Sequence, residues 1–240
     1  MKVLFVDQSS ETGGAQRCFL DLLPAMTERG WTVQAALPGN GPFVSQLCAA
    51  NVPVARIRCG PYESRMKSAA DFARFPFDLA DQIRTLRQST ADLIYINGPR
   101  VLPGACLASL GRCPVLFHAH NRLNHRYETR LATWSLRASK STVVACSRFV
   151  AEPLPAGVVV PNGTPDMGFR ERRFDPGALR IGMIGHLTAY KGFGTFVEVA
   201  RLFPKSQFVA VGQIVLLSAP DRFINPYTRS DGIQNRLHGP

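Results

Sequence analysis

No apolar run in this sequence approaches the ~18 residues that a membrane-spanning helix needs. The first one, Val3-Leu4-Phe5-Val6, stops at Asp7. It is too short for the core of a secretion signal and reads as a buried strand. The six cysteines are Cys18, Cys48, Cys59, Cys106, Cys113 and Cys146, and no two have CxxC spacing. The lack of such pairs argues against a zinc site and for free, buried thiols in a reducing compartment. The sequence also lacks GxGxxG, a Walker A loop, HExxH, GxSxG and a DxD carboxylate pair, which removes several common enzyme classes. Ser147 has none of the flanking glycines of a nucleophile elbow. Acids are scarce: 17 Asp and Glu face 28 Lys and Arg, for a formal charge of +11.

What is present is a globular composition, 45% hydrophobic over 240 residues, enough for one large domain or two smaller ones. Short apolar strands alternate with helical patterns. Strands are expected at 3–6, 31–37, 52–57, 93–97, 114–118, 142–146 and 158–160. Between them, Ala15, Phe19, Leu22, Leu23 and Met26 recur at helical spacing up to Gly30, with Pro24 expected to kink or restart that helix. Further helices are expected at 43–50, 68–88 (divided by Pro76), 101–110 and 123–137. This alternation marks an α/β protein with a doubly wound parallel sheet. A polar, Pro- and Gly-marked stretch at 166–178 reads as a linker. The rhythm then restarts with a strand at 180–184, a helix at 193–203, a strand at 207–211 and another beginning at 236–240. The expected domains are therefore 1–165, a linker at 166–178 and a partial second domain at 179–240.

Two of these strands run into glycine-marked turns and then helices. The first continues through Gly13-Gly14-Ala15-Gln16-Arg17. The second passes through Gly185-His186 to Lys191-Gly192. Helix starts at the carboxyl edge of a parallel sheet offer backbone N–H groups to anions such as phosphate, and a glycine lets the phosphate approach closely. Taken singly, Gly13-Gly14 is equally a tight turn and Lys191 a solvated surface lysine. As a pair on separate halves of the chain, they suggest a phosphate-bearing ligand held in a cleft between two domains. Charge is concentrated too. Residues 100–150 carry eight basic side chains against one acid, Glu128, and Arg56, Arg58, Arg65, Lys67 and Arg74 form a second basic stretch. Such patches suit anionic lipid, nucleic acid or acidic substrates. No nucleic-acid motif or aromatic stacking run accompanies them. Arg122, Arg126 and Arg130, at four-residue spacing, are expected on one face of a helix.

Five segments in order carry a family resemblance. They are Gly13-Gly14-Ala15-Gln16-Arg17, His118-Ala119-His120-Asn121, Ala145-Cys146-Ser147-Arg148-Phe149-Val150, Val160-Pro161-Asn162-Gly163, and the stretch from Ile181 through Gly185-His186-Leu187 to Lys191-Gly192. Together they resemble the retaining nucleotide-sugar glycosyltransferases of family 4, which have the GT-B fold of two facing Rossmann-like domains. The second domain is expected to be incomplete: no counterpart of the family's Glu-rich E-x7-E segment stands in these 240 residues, and Glu198 is the one glutamate after the linker. A fragment, a truncated gene product and a degenerate remnant all remain open.

The resemblance implies transfer of a sugar, with retention, from a nucleoside diphosphate sugar to a glycan or lipid-linked acceptor. The usual setting is surface polysaccharide synthesis at the cytoplasmic face of a membrane. It implies donor-phosphate contacts at Gly13, Gly14, Lys191 and Gly192. His186 stands where the family has an arginine, which makes it a weaker, pH-dependent contact. His118 and His120 are expected on alternate faces of their strand, with His120 matching the family's sugar-contacting histidine. The basic Arg122, Arg126 and Arg130 would serve the acceptor or an anionic membrane surface. The family generally needs no metal or cofactor, the nucleotide sugar being a substrate. A catalytically inactive basic module that binds membrane or protein is the alternative.

Overall fold

The computed structural model describes residues 1–60, 68–164, 166, 168, 179–185 and 191–212. It divides into two compact units, Met1–Pro165 and Asp166–Pro240. In the first, seven parallel strands form one sheet in the order β3-β2-β1-β4-β5-β6-β7. The strands are β1 (Lys2–Val6), β2 (Thr32–Leu37), β3 (Val54–Arg56), β4 (Leu93–Ile96), β5 (Val115–Ala119), β6 (Thr142–Ala145) and β7 (Val158–Val159). The order reverses between β1 and β4. That is the switch point where such sheets open a crevice at the carboxyl ends of their strands.

A parallel sheet must be covered on both faces, and successive side chains supply both. On β1, Leu4 and Val6 enter a core with Ile94, Ile96, Phe117 and Leu102. Val3 and Phe5 enter the opposite core with Phe19, Leu37, Phe43 and Tyr95. Phe5 stacks on Phe19 at 3.5 Å between ring centres, pinning α1 (Gly14–Glu28) to the sheet. Helix α2 is Pro42–Ala49 and α3 is Ala69–Arg87, the latter opened by a reciprocal cap between Ser68 and Asp71. Helix α4 (Leu102–Ser109) is apolar almost all round, as a helix enclosed by others must be. Helices α5 (Arg126–Ala138) and α6 (Arg148–Ala151) complete the unit.

Neither internal proline interrupts its helix. Helix α1 continues through Pro24 without restarting, and α3 is not divided at Pro76. Both prolines lie on the solvent side of their helices, where water can satisfy the carbonyl freed by the missing N–H. The expected helix at 123–137 starts later, at Arg126. Arg122 therefore precedes it and does not share a helix face with Arg126 and Arg130. All six cysteines are free, but Cys106 alone is buried. Cys48 is exposed and the rest are half-buried.

In the second unit, β8 (Arg180–Ile184) pairs in parallel with β9 (Gln207–Val211), and α7 (Phe193–Leu202) joins them. Phe196 of α7 packs edge-on against Phe208 of β9 at 5.4 Å. Helix α7 is entered through Gly192 at φ +78°, a conformation that favours glycine. A Cβ on Gly212 would lie 1.7 Å from the Gly185 carbonyl oxygen, so the two strand ends can close together there only through glycine. His186, Arg65, Lys67, most of the expected linker and the expected strand at 236–240 lie outside the described residues.

Candidate active site

Every central strand of the first unit turns polar as it reaches the carboxyl edge. β1 is followed by Asp7, β4 by Asn97, and β5 carries His118 and is followed by His120. Asp7 is fully buried and accepts hydrogen bonds from Asn97 Nδ2 at 2.6 Å, Gln16 Nε2 at 2.9 Å and the Ser9 amide at 2.9 Å. Burial pushes its carboxyl above the ordinary range, while these three donors pull the other way. Asn97 is itself buried, and its Oδ1 has no partner. The switch-point edge of the sheet thus has a buried carboxyl–carboxamide pair as its floor.

The Gly13-Gly14 turn rises beside this floor. Gln16 Oε1 accepts the Gly13 amide at 3.1 Å while its Nε2 bonds Asp7, so one side chain ties the turn to the sheet. The Gly13 N–H is therefore already engaged. The first-turn amides without an intrahelical acceptor begin at Gly14, where the position of a Cβ has nothing within 4 Å.

His118 and His120 do not lie on alternate faces. Residues two apart on a strand share a face, and the two rings stand 4.0 Å apart between centres. Both lie on the side covered by α1. They differ in their ties. His118 is buried, and its Nδ1 shares a 2.5 Å hydrogen bond with the Tyr95 hydroxyl. Burial holds the Tyr95 phenol well above its ordinary range, so it stays protonated. His120 is half-buried, and neither of its ring nitrogens has a hydrogen-bond partner. Burial, with His118 alongside, pushes its pKa down to about 4, so it is a neutral imidazole near pH 7. Burial lowers His118 likewise. His118 is held in place, whereas His120 is uncommitted.

Two further segments close on this pair. Cys146, just after β6, places its thiol 3.5 Å from the His120 carbonyl oxygen, and its amide donates to the Ala119 carbonyl. Cys18 on α1 reaches Asn162 Oδ1 at 3.6 Å. Four sequence segments, at 13–17 (with Cys18 directly after it), 118–121, 145–150 and 160–163, therefore converge on one end of the sheet. Sequence reasoning marks these segments, Gln16 only as part of its turn, and misses Asp7, Cys18, Tyr95 and Asn97 as members. The signal for Asp7 and Asn97 was available: each is a polar residue ending an apolar strand.

The basic residues divide. Arg122 pairs with Glu152 and stacks over Phe149 at 4.6 Å, so it is already partnered. Arg126 and Arg130 are exposed on α5, beside the exposed Tyr127, Leu131 and Trp134. Lys191 and Gly192 lie in the second unit at the entrance to α7.

Residues 13–164 match the family model of the glycosyl transferase 4-like domain, well over half the chain. The chain belongs to that family. Among solved structures, this glycosyl transferase 4-like protein is similar to Anabaena HepE in complex with UDP and glucose. The TM-score is 0.66 at 22% identity, over 90% of this chain and 62% of HepE. It is also similar to MurG of Acinetobacter baumannii, with a TM-score of 0.55 at 16% identity, over 89% of this chain and 68% of MurG. The apo form of the lipopolysaccharide outer core galactosyltransferase WaaB gives 0.61 at 14% identity, over 89% of this chain and 61% of WaaB. No curated protein matched. At these identities the likeness establishes the fold, GT-B, and the chain spans 62% of the length of HepE.

Proposed function

We propose that the chain acts in glycosyl transfer from a nucleoside diphosphate sugar to a glycan or lipid-linked acceptor, with retention of anomeric configuration. The observation that carries this reading is the convergence of four motif segments around His120, whose two ring nitrogens are uncommitted. Family membership supports it, as does the capture of the HepE fold with UDP and with UDP-glucose.

In this mechanism the bond between the anomeric carbon and the diphosphate breaks, and the acceptor oxygen bonds to the same carbon on the same face. The acceptor's proton passes to the departing phosphate oxygen. His120 hydrogen-bonds the transferred sugar and orients it. Lys191 and the helix-start amides at Gly192 and from Gly14 onward, with Gly13 forming the turn, stabilise the growing negative charge on the diphosphate. His186 is assigned a weaker share in the same task. No cofactor is assigned.

The setting we propose is surface polysaccharide synthesis, with the protein cytoplasmic and peripheral at the inner membrane face. Among the described residues no helix is long and apolar enough to cross a membrane. Helix α5 supports an interfacial contact, because Tyr127, Leu131 and Trp134 expose apolar surface beside Arg126, Arg130 and Arg137. That same face favours a second reading, a catalytically inactive membrane- or protein-binding module.

Calorimetric titration of the full chain with UDP- and GDP-sugars tests the first reading. One donor of the panel should bind and be turned over, with Lys191→Ala lowering turnover about 10²–10³-fold. Binding of none, with adhesion to anionic vesicles intact, would select the second reading.

A further inference from the structure

We propose that Cys18, His118 and His120 form a binding site for a soft or borderline cation of the zinc(II) class. One ligand atom from each residue falls within 4.8 Å of the others. The ligands come from facing elements: His118 and His120 from one face of the β5 end, and Cys18 from the first turns of α1, which covers that face. Zinc bonds nitrogen at about 2.0–2.1 Å and sulfur at about 2.3 Å, so tetrahedral ligand atoms stand roughly 3.5 Å apart. Binding would draw the ligand atoms from within 4.8 Å of one another to that spacing by adjustment of side-chain torsions.

A second observation points the same way. His118 is only 7% exposed, and with Nδ1 engaged by Tyr95 its Nε2 is left buried without any hydrogen-bond partner. Both nitrogens of His120 are in the same condition. Buried polar atoms are normally satisfied, so three orphans beside a thiol form a donor set lacking its acceptor. The Tyr95 hydroxyl behind His118 supplies the outer hydrogen bond that orients ligating imidazoles. Two imidazoles and a thiol with no carboxylate suit zinc(II) or copper(I) and disfavour magnesium or calcium. A fourth position stays open to water. The three ligands are joined by the fold, not by a short spacing, so the sequence pattern that argued against zinc could not register them.

Cation binding rests on this geometry alone. Its consequence rests on the function proposed above: with His120 occupied by the ion, the donor sugar loses its contact, and zinc inhibits transfer. Cobalt(II) titration of the full chain, followed by zinc displacement, tests binding without any donor. The expected result is one cobalt per chain with a thiolate-to-cobalt charge-transfer band. The band disappears in Cys18→Ser and is unchanged in Cys48→Ser, whose exposed thiol lies on α2. Tyr95→Phe should weaken zinc binding about 10–100-fold. In the unaltered protein, zinc should slow alkylation of Cys18 at least tenfold while leaving Cys48 unaffected. No charge-transfer band, a band surviving Cys18→Ser, or equal alkylation rates with and without zinc would overturn the site. Zinc that binds as described in a protein that takes no nucleotide sugar would sink the proposed function and leave the site standing.

Discussion

The middle of the first sheet and its carboxyl edge are built from the same strands and follow opposite rules. In the middle, Leu4, Phe5, Ile94, Ile96 and Phe117 are buried among apolar neighbours on both faces. One or two residues further along, the chain buries Asp7, Asn97 and His118 and leaves Asn97 Oδ1 and three histidine nitrogens without partners. Burying polar atoms unsatisfied costs stability, about 1–3 kcal/mol per group. Two packed apolar faces can tolerate such an edge. The difference teaches that the middle holds the fold together while the edge keeps buried polar atoms in reserve, as the proposed donor site requires.

The largest effect should come from the middle. Phe5→Ala removes a ring stacked on Phe19 and should cost about 3–5 kcal/mol in urea unfolding. A cost under 1 kcal/mol would break the contrast from the stable side. At the edge, Asp7→Asn sets an amide against the donors of Asn97 and Gln16. It should cost about 1–3 kcal/mol, because at least one buried donor loses its acceptor. Loss of the Gly13 turn with it would show as weaker donor binding in the calorimetric titration.

A pH titration sharpens the same contrast. His120 has a folded pKa of about 4 against an ordinary 6.5, so between those values the unfolded chain binds more protons than the folded one. The stability that a neutral His120 contributes is complete above pH 6.5 and is lost as pH falls towards 4. Urea midpoints should therefore drop more over that window in the unaltered protein than in His120→Gln. Parallel curves would remove His120 from the buried edge. The smallest effect is expected at Arg122→Ala. Its surface pair with Glu152 is screened by solvent, so the urea midpoint should hardly move.

Much of the fold was legible because short apolar strands alternate with helical spacings, and the strands at 180–184 and 207–211 fall where the pattern puts them. Pro24 and Pro76 misled because periodicity says where a proline stands but not that water satisfies the carbonyl it frees. The site was half legible. His120 and the glycine turn stand in recognisable segments, but Cys18, Gln16 and Tyr95 join them only through packing of α1 on β1, β4 and β5. The two histidines illustrate a different loss. Their spacing of two already placed them on one face, and what separates them is the Tyr95 hydroxyl, a contact across strands that no local pattern encodes.

The most direct test compares His118→Gln with His120→Gln, reading urea midpoint and release of nucleoside diphosphate from the bound donor sugar in the same preparations. His120→Gln should keep its midpoint near pH 7 and lose about 10²-fold in release, because the sugar is no longer held in line. His118→Gln should lower the midpoint by breaking the Tyr95 tie. Full activity in His120→Gln, with activity abolished in a stably folded His118→Gln, would contradict the assignment of the uncommitted histidine to chemistry and the tied one to structure.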